Sequence, residues 1–156
     1  MNIRIVISAI LAFSLSISPA LAGETNDAAL SMVKILGLGN NLGQMGLRVA
    51  VTTQTFRIIA QKLGNEKATA LIKEDLENVL PKYQDKWNNN LAQSYAEYFD
   101  AVELRSITAE KQSSKYFGKF KSKQSDVGKS MQEKSSPVLT EYVSEAMNKS
   151  FTKTLK

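Results

Sequence analysis

The sequence predicts an all-α protein, folded as a compact bundle of five to six helices after a cleaved signal peptide. Apolar residues recur at helical spacing in nearly every segment. No run alternates apolar and polar residues as a half-buried strand would, and no Asn-Gly or Asp-Gly hairpin signal occurs. The chain has 156 residues, 43% of them hydrophobic, which is the size and make-up of one globular domain.

The N-terminus has the pattern of a secretory signal peptide. A short basic start, Met1–Arg4, precedes the apolar run Ile5–Ile17, and Pro19 precedes a small-x-small triplet. The apolar run is shorter than the ~18 residues of a membrane span. We therefore expect a signal peptide over residues 1–22 and one helical domain over residues 23–156. The expected cleavage site comprises Ala20, Ala22 and Gly23.

The sequence of the first half of the domain predicts three helices. Thr25 or Asn26 can cap a first helix that ends near Leu36. A second helix, Leu42–Leu63, has apolar residues at alternating intervals of three and four, with Gly64 as its C-terminal cap. This row of apolar residues, the apolar seam, could face the domain interior or a second copy of the chain. A third helix covers Glu66–Trp87, and Pro81 is expected to kink or split it near Leu80. The stretch Asn88–Asn90 fits either a turn or a helix.

A sharp corner is predicted where a short helix beginning at Leu91 ends. Asp100 and Glu103 have the spacing of a capping box, and Phe99 and Leu104 have that of a hydrophobic staple. The helix that follows weakens near Ser113-Ser114. Ser136-Pro137 supplies a cap and a first-position proline, which predicts the start of a last helix.

Within this half, residues 91–151 resemble the bacterial domain of unknown function 2059 (DUF2059) family. The matching features are the tyrosine-rich Tyr95–Phe99, the acidic turn and Glu-Leu pair in Asp100–Arg105, and Ser113-Ser114 with Gly118 near a family Ser-Pro-x-Gly corner. Ser114 stands where the family has proline. The resemblance implies an exported, all-helical domain. It transfers no catalytic residue.

The composition excludes several kinds of active site. The chain has no histidine and no cysteine, so it lacks Ser-His and Cys-His nucleophile pairs, the usual zinc ligands and a thiol redox pair. The acidic run Glu74, Asp75 and Glu77 is interpreted as a solvated helix face. We therefore expect no enzyme, with no catalytic residue, no metal and no cofactor.

Charge is uneven along the chain, and the C-terminal part is basic. Residues 111–156 contain ten lysines and four acidic residues. Lysines at this density can attract an anionic partner, although a solvated helix face is the alternative interpretation. The candidate partner surface, here called the basic surface, comprises Lys111, Lys115, Lys119, Lys121, Lys123 and Lys129. A candidate aromatic groove beside it comprises Tyr95, Tyr98, Phe117 and Phe120.

Together these features predict a non-enzymatic binding protein in the periplasm, with an extracellular location as the alternative. The expected partner is a protein or an anionic envelope lipid or glycan. Nucleic acid is not expected, because the chain is exported and the basic surface lacks base-reading arginines. The mature chain has no segment typical of a membrane span. Two special roles remain open, namely an immunity protein against a periplasmic-acting toxin and a holdase-type chaperone.

Overall fold

Six α-helices form the fold in the computed structural model, which describes residues 19–155. The all-α prediction is confirmed, because this part of the chain contains no strand. The predicted signal peptide falls largely on residues 1–18, outside the described range. The helices are α1 Pro19–Ile35, α2 Leu42–Ala50, α3 Gln54–Leu63, α4 Asn65–Ala96, α5 Ala101–Glu110 and α6 Phe117–Thr154.

The two longest helices, α4 and α6, form an antiparallel pair through the centre of the bundle. Asp75 near the start of α4 contacts Ser150 near the end of α6, whereas Tyr95 at the end of α4 contacts Phe120 at the start of α6. Helices α1, α2 and α3 all contact α4, and α5 packs against α1. The core therefore lies along α4, which explains why its buried side chains are distributed along its whole length.

Helix α1 begins earlier than predicted. It starts at Pro19 and runs through the expected cleavage residues Ala20, Ala22 and Gly23. Thr25 is not an N-cap, because it lies inside the helix and its hydroxyl donates to the carbonyl of Leu21 at 3.0 Å. The capping prediction was wrong because the preceding residues continue the helix.

The predicted single helix Leu42–Leu63 is wrong, since it is divided into α2 and α3 at Val51–Thr53. The hydroxyl of Thr53 accepts a hydrogen bond from the Phe56 amide at 3.1 Å and so caps α3. The break turns part of the regular apolar seam outward, and Val49 and Leu63 are exposed. Gly64 does end α3, with a φ of 83° that favours glycine.

Both internal prolines lie inside continuous helices. Pro81 does not split α4, and Asn88–Asn90 are helical, so α4 extends to Ala96. Pro137 does not begin a helix but lies within the 38-residue α6. Both prolines are solvent-exposed, and tertiary packing along α4 and α6 overrides their local preference to end a helix.

The predicted corner after α4 is confirmed. The Asp100 carboxylate accepts from the Glu103 amide at 2.8 Å, and the Glu103 carboxylate accepts from the Asp100 amide at 3.1 Å. The staple residues Phe99 and Leu104 are both buried. The predicted weakening near Ser113-Ser114 is also observed, as a 3₁₀ turn over Lys111–Ser113.

Across residues 19–155, none of the helices combines the length and the apolar character that a bilayer crossing requires.

Candidate functional site

The lysines of the basic surface fall into two groups. Lys119 and Lys123 form ion pairs, the first with Glu103 at 2.6 Å and the second with Asp126 at 2.9 Å. The hydrogen bond from Lys123 holds the pKa of the Asp126 carboxyl below its ordinary value. The same two ammonium groups lie over aromatic rings, Lys119 over Phe99 at 4.9 Å and Lys123 over Tyr98 at 5.3 Å. This pair therefore helps to fix the corner between α4 and α5.

The other four lysines of the basic surface are exposed, although the ammonium of Lys115 lies 4.9 Å from the centroid of the Tyr116 ring. Among residues 19–155, no carboxylate oxygen lies within 4.0 Å of any of their ammonium groups. Lys111 has a φ of 54°, and it is the one non-glycine residue in the described range with a positive φ. Such a backbone is unfavourable for lysine. These four residues, which we call the free lysines, are Lys111, Lys115, Lys121 and Lys129.

The residues of the candidate groove pack largely against one another. The Tyr95 and Phe120 rings stack, with centroids 5.6 Å apart, and the Phe117 and Phe120 centroids are 6.1 Å apart. Burial raises the pKa of the Tyr95 phenol, whose hydroxyl donates to Gln124 at 3.3 Å. Tyr95 and Tyr98 line two different depressions. The four aromatic residues thus join the end of α4 to the start of α6.

A cleft of about 550 Å³ lies between the loop before α2, α4 and α6. Its volume is in the range of small-molecule sites. We call it the Trp87 cleft, after the only tryptophan in the chain. Sequence reasoning missed it, because its walls come from three separate segments. The apolar wall includes Leu38, Met45, Trp87, Leu91, Met131 and Leu139.

The polar groups of the Trp87 cleft mostly bind one another. The Trp87 indole N–H donates to the Asn41 side chain at 3.1 Å. Ser135 donates to the Met131 sulfur at 3.2 Å, and the Gln124 amide donates to the Phe120 carbonyl at 3.0 Å. With these donors already engaged, the cleft interior offers mainly apolar contact.

The acidic run on α4 contains a buried network that the sequence did not reveal. Interpreting the run as a solvated face was wrong for Asp75, which is 2% exposed, although Glu74 and Glu77 are solvated. Ser150 donates to one Asp75 oxygen at 2.8 Å, and Lys153 donates to the other at 2.6 Å. The bond to Asp75 raises the pKa of the Lys153 ammonium. This network fastens the end of α6 to the start of α4.

Within residues 19–155, no three acidic, histidine or cysteine side chains are grouped as a metal site requires. Asp75 is buried and is bound by Ser150 and Lys153, whereas the Lys153 side chain is 46% exposed. The basic surface and the Trp87 cleft are two of several surface features with the charge or size to hold a partner or ligand.

Comparison of the chain with family models, with curated proteins and with solved structures finds no match. The resemblance of residues 91–151 to DUF2059 therefore stays a prediction, and the functional argument depends on the residues of this chain.

Proposed function

We propose that this chain is an exported, non-enzymatic binding protein of the periplasm, and that its basic surface binds an anionic partner. The observation that carries the proposal is the set of four free lysines. They are exposed and form no ion pair within the described residues, while Lys119 and Lys123 pair with Glu103 and Asp126. Unpaired cations at this density raise the local concentration of anions.

The backbone at Lys111 supports the same conclusion. A residue with positive φ is strained unless it is glycine, and strained residues are concentrated at functional positions. Glycine at this position would relieve the strain. The lysine instead places a cation at the first position of the 3₁₀ turn, four residues before Lys115.

Replacing all four free lysines by glutamine tests the proposal. The matched control replaces Lys34, Lys67, Lys73 and Lys86, which are exposed on α1 and α4. It changes the net charge equally. The purified proteins would be immobilised and presented with an envelope extract, with anionic and zwitterionic vesicles, and with an anionic cell-wall glycan, at low and moderate salt.

The expected result is a ligand retained by the wild type and by the control, but lost from the free-lysine variant. Retention should fall with salt, because exposed charges are screened beyond about 10 Å at 0.1 M ionic strength. Equal retention by all three proteins, or no retention of any probe, would overturn the proposal. A broad set of unfolded outer-membrane proteins that survives lysine replacement would instead favour the chaperone alternative.

A further inference from the structure

We propose that the Trp87 cleft binds a free fatty acid, with its acyl chain inside the cleft and its carboxylate at Lys121. The inference goes beyond the proposed function in its apolar site, since Trp87 and Gly128 do not belong to the basic surface, and it shares only Lys121 with that surface. Three features of the cleft carry it, namely its shape, an unexplained glycine and the position of one cation.

The shape and chemistry of the cleft suit an acyl chain. Helix α6 lines it from Gln124 to Leu139, a rise of about 22 Å along the helix axis. That length matches an extended long-chain fatty acid. The cleft contains Trp87 and other apolar side chains, and its main polar donors are engaged within the protein. An apolar chain can therefore enter without leaving buried donors unpaired.

Gly128 leaves free space on the solvent-facing side of the cleft. It lies in the interior of α6, where glycine destabilises a helix by about 1 kcal/mol relative to alanine. No turn or close contact in the fold requires it, because a Cβ added there would meet no atom within 4 Å. Gly128 lines the cleft, so a larger side chain would occupy the space of the ligand.

Lys121 supplies a cation at the end of the cleft. Lys121, Gln124 and Gly128 follow one another at intervals of three and four residues, which places them on one face of α6. Gln124 and Gly128 line the cleft. Lys121 is exposed and precedes Gln124 by three residues, about 4.5 Å along the helix axis, so its ammonium can reach a carboxylate at this end of the cleft.

Trp87 fluorescence provides a direct assay, because the chain has a single tryptophan and this residue lines the cleft. Myristate would be titrated below its aggregation concentration, with myristyl alcohol as the uncharged analogue. Calorimetric titration would be run in parallel, so that a binding event without a fluorescence change is still detected. We expect a saturable response to myristate.

Two variants and one control separate the contributions. Gly128→Leu should abolish saturable binding while the protein stays folded, since it enters open space. Gly118→Leu is the control, because Gly118 is also in α6 and equally unhindered but does not line the cleft. Lys121→Gln should weaken myristate binding about two- to five-fold, as for an exposed ion pair. It should leave binding of the alcohol unchanged.

The proposal is overturned if wild-type protein gives no saturable signal by either method, or if Gly128→Leu binds myristate as tightly as Gly118→Leu. Equal loss of acid and alcohol binding in Lys121→Gln would remove the assigned role of that lysine. Gly128→Leu leaves all four free lysines in place, so failure of fatty-acid binding and failure of the basic surface can be distinguished.

Discussion

Substitution of Gly46 by alanine should destabilise the protein, although alanine is the better helix former. A Cβ at Gly46 would lie 2.4 Å from Cε1 of Tyr142 and 3.2 Å from a methyl carbon of Leu76. Ordinary contacts between carbon atoms are about 3.5–4.0 Å, so the ring would need to move by about 1 Å or more. Tyr142 is fully buried and its hydroxyl donates to the Leu76 carbonyl at 3.0 Å, so that movement would disturb the α4–α6 core.

The overpacking penalty of Gly46→Ala can be measured by comparison with a second glycine on the same helix. Gly43 is also in α2, but a Cβ there would meet nothing within 4 Å. Both substitutions gain about 0.5–1 kcal/mol from helix propensity. Overpacking in the core costs about 1–3 kcal/mol. The two variants should therefore differ by about 1–3 kcal/mol in the free energy of unfolding, since the propensity gain cancels.

Urea unfolding followed by circular dichroism would measure this difference. In a Tyr142→Leu background the penalty of Gly46→Ala should shrink, while the gain of Gly43→Ala should persist. Equal stability of the Gly46→Ala and Gly43→Ala proteins would show that the core at Tyr142 is not packed as described.

Two further predictions concern the charged contacts between α4 and α6. Asp75→Asn should lower the free energy of unfolding by about 1.5–3 kcal/mol, because it removes the negative charge that strengthens two buried hydrogen bonds. The control is Glu74→Gln, which changes an exposed carboxylate near the same Lys153 and should have little effect on the urea midpoint. The pKa of the Glu145 carboxyl is lowered from its ordinary value of 4.5, mainly by the hydrogen bond from Lys82 and next by that from Tyr83. The ionised carboxylate therefore stabilises the folded protein fully above pH 4.5, and this stabilisation is lost as the pH falls through the lowered pKa of the folded state. Urea midpoints measured from neutral pH to about pH 3 should therefore fall less steeply for Glu145→Gln than for the wild type, and equal slopes would contradict this assignment.

Local signals in the sequence predicted the corner after α4 well, because every interaction there lies within a few residues. Asp100, Glu103, Phe99 and Leu104 form one motif, and short-range spacing is enough to identify it. The same kind of reasoning failed at Pro81 and Pro137, where packing along a whole helix outweighs one residue's preference.

Features that depend on distant partners could not be predicted from spacing. The regular apolar seam in residues 42–63 indicated one helix, yet Thr53 caps a new helix within it. The only local signal for that start was the threonine itself, a residue type that favours N-cap positions. Asp75 looked like part of a solvated run because its partners are far away in the sequence. The Trp87 cleft was missed for the same reason, since no single segment forms it.

The separation between Asp75 and its partners has a consequence for how the protein is made. Ser150 and Lys153 lie 75 and 78 residues further along the chain, so the Asp75 carboxylate cannot be satisfied until the last turns of α6 have been synthesised. A shorter chain ending before Ser150 would contain α4 and most of α6, but it would lack both hydrogen-bond donors to the Asp75 carboxylate. Such a truncated product should be recognised by proteases as unfolded, which makes the buried carboxylate a test of chain completeness.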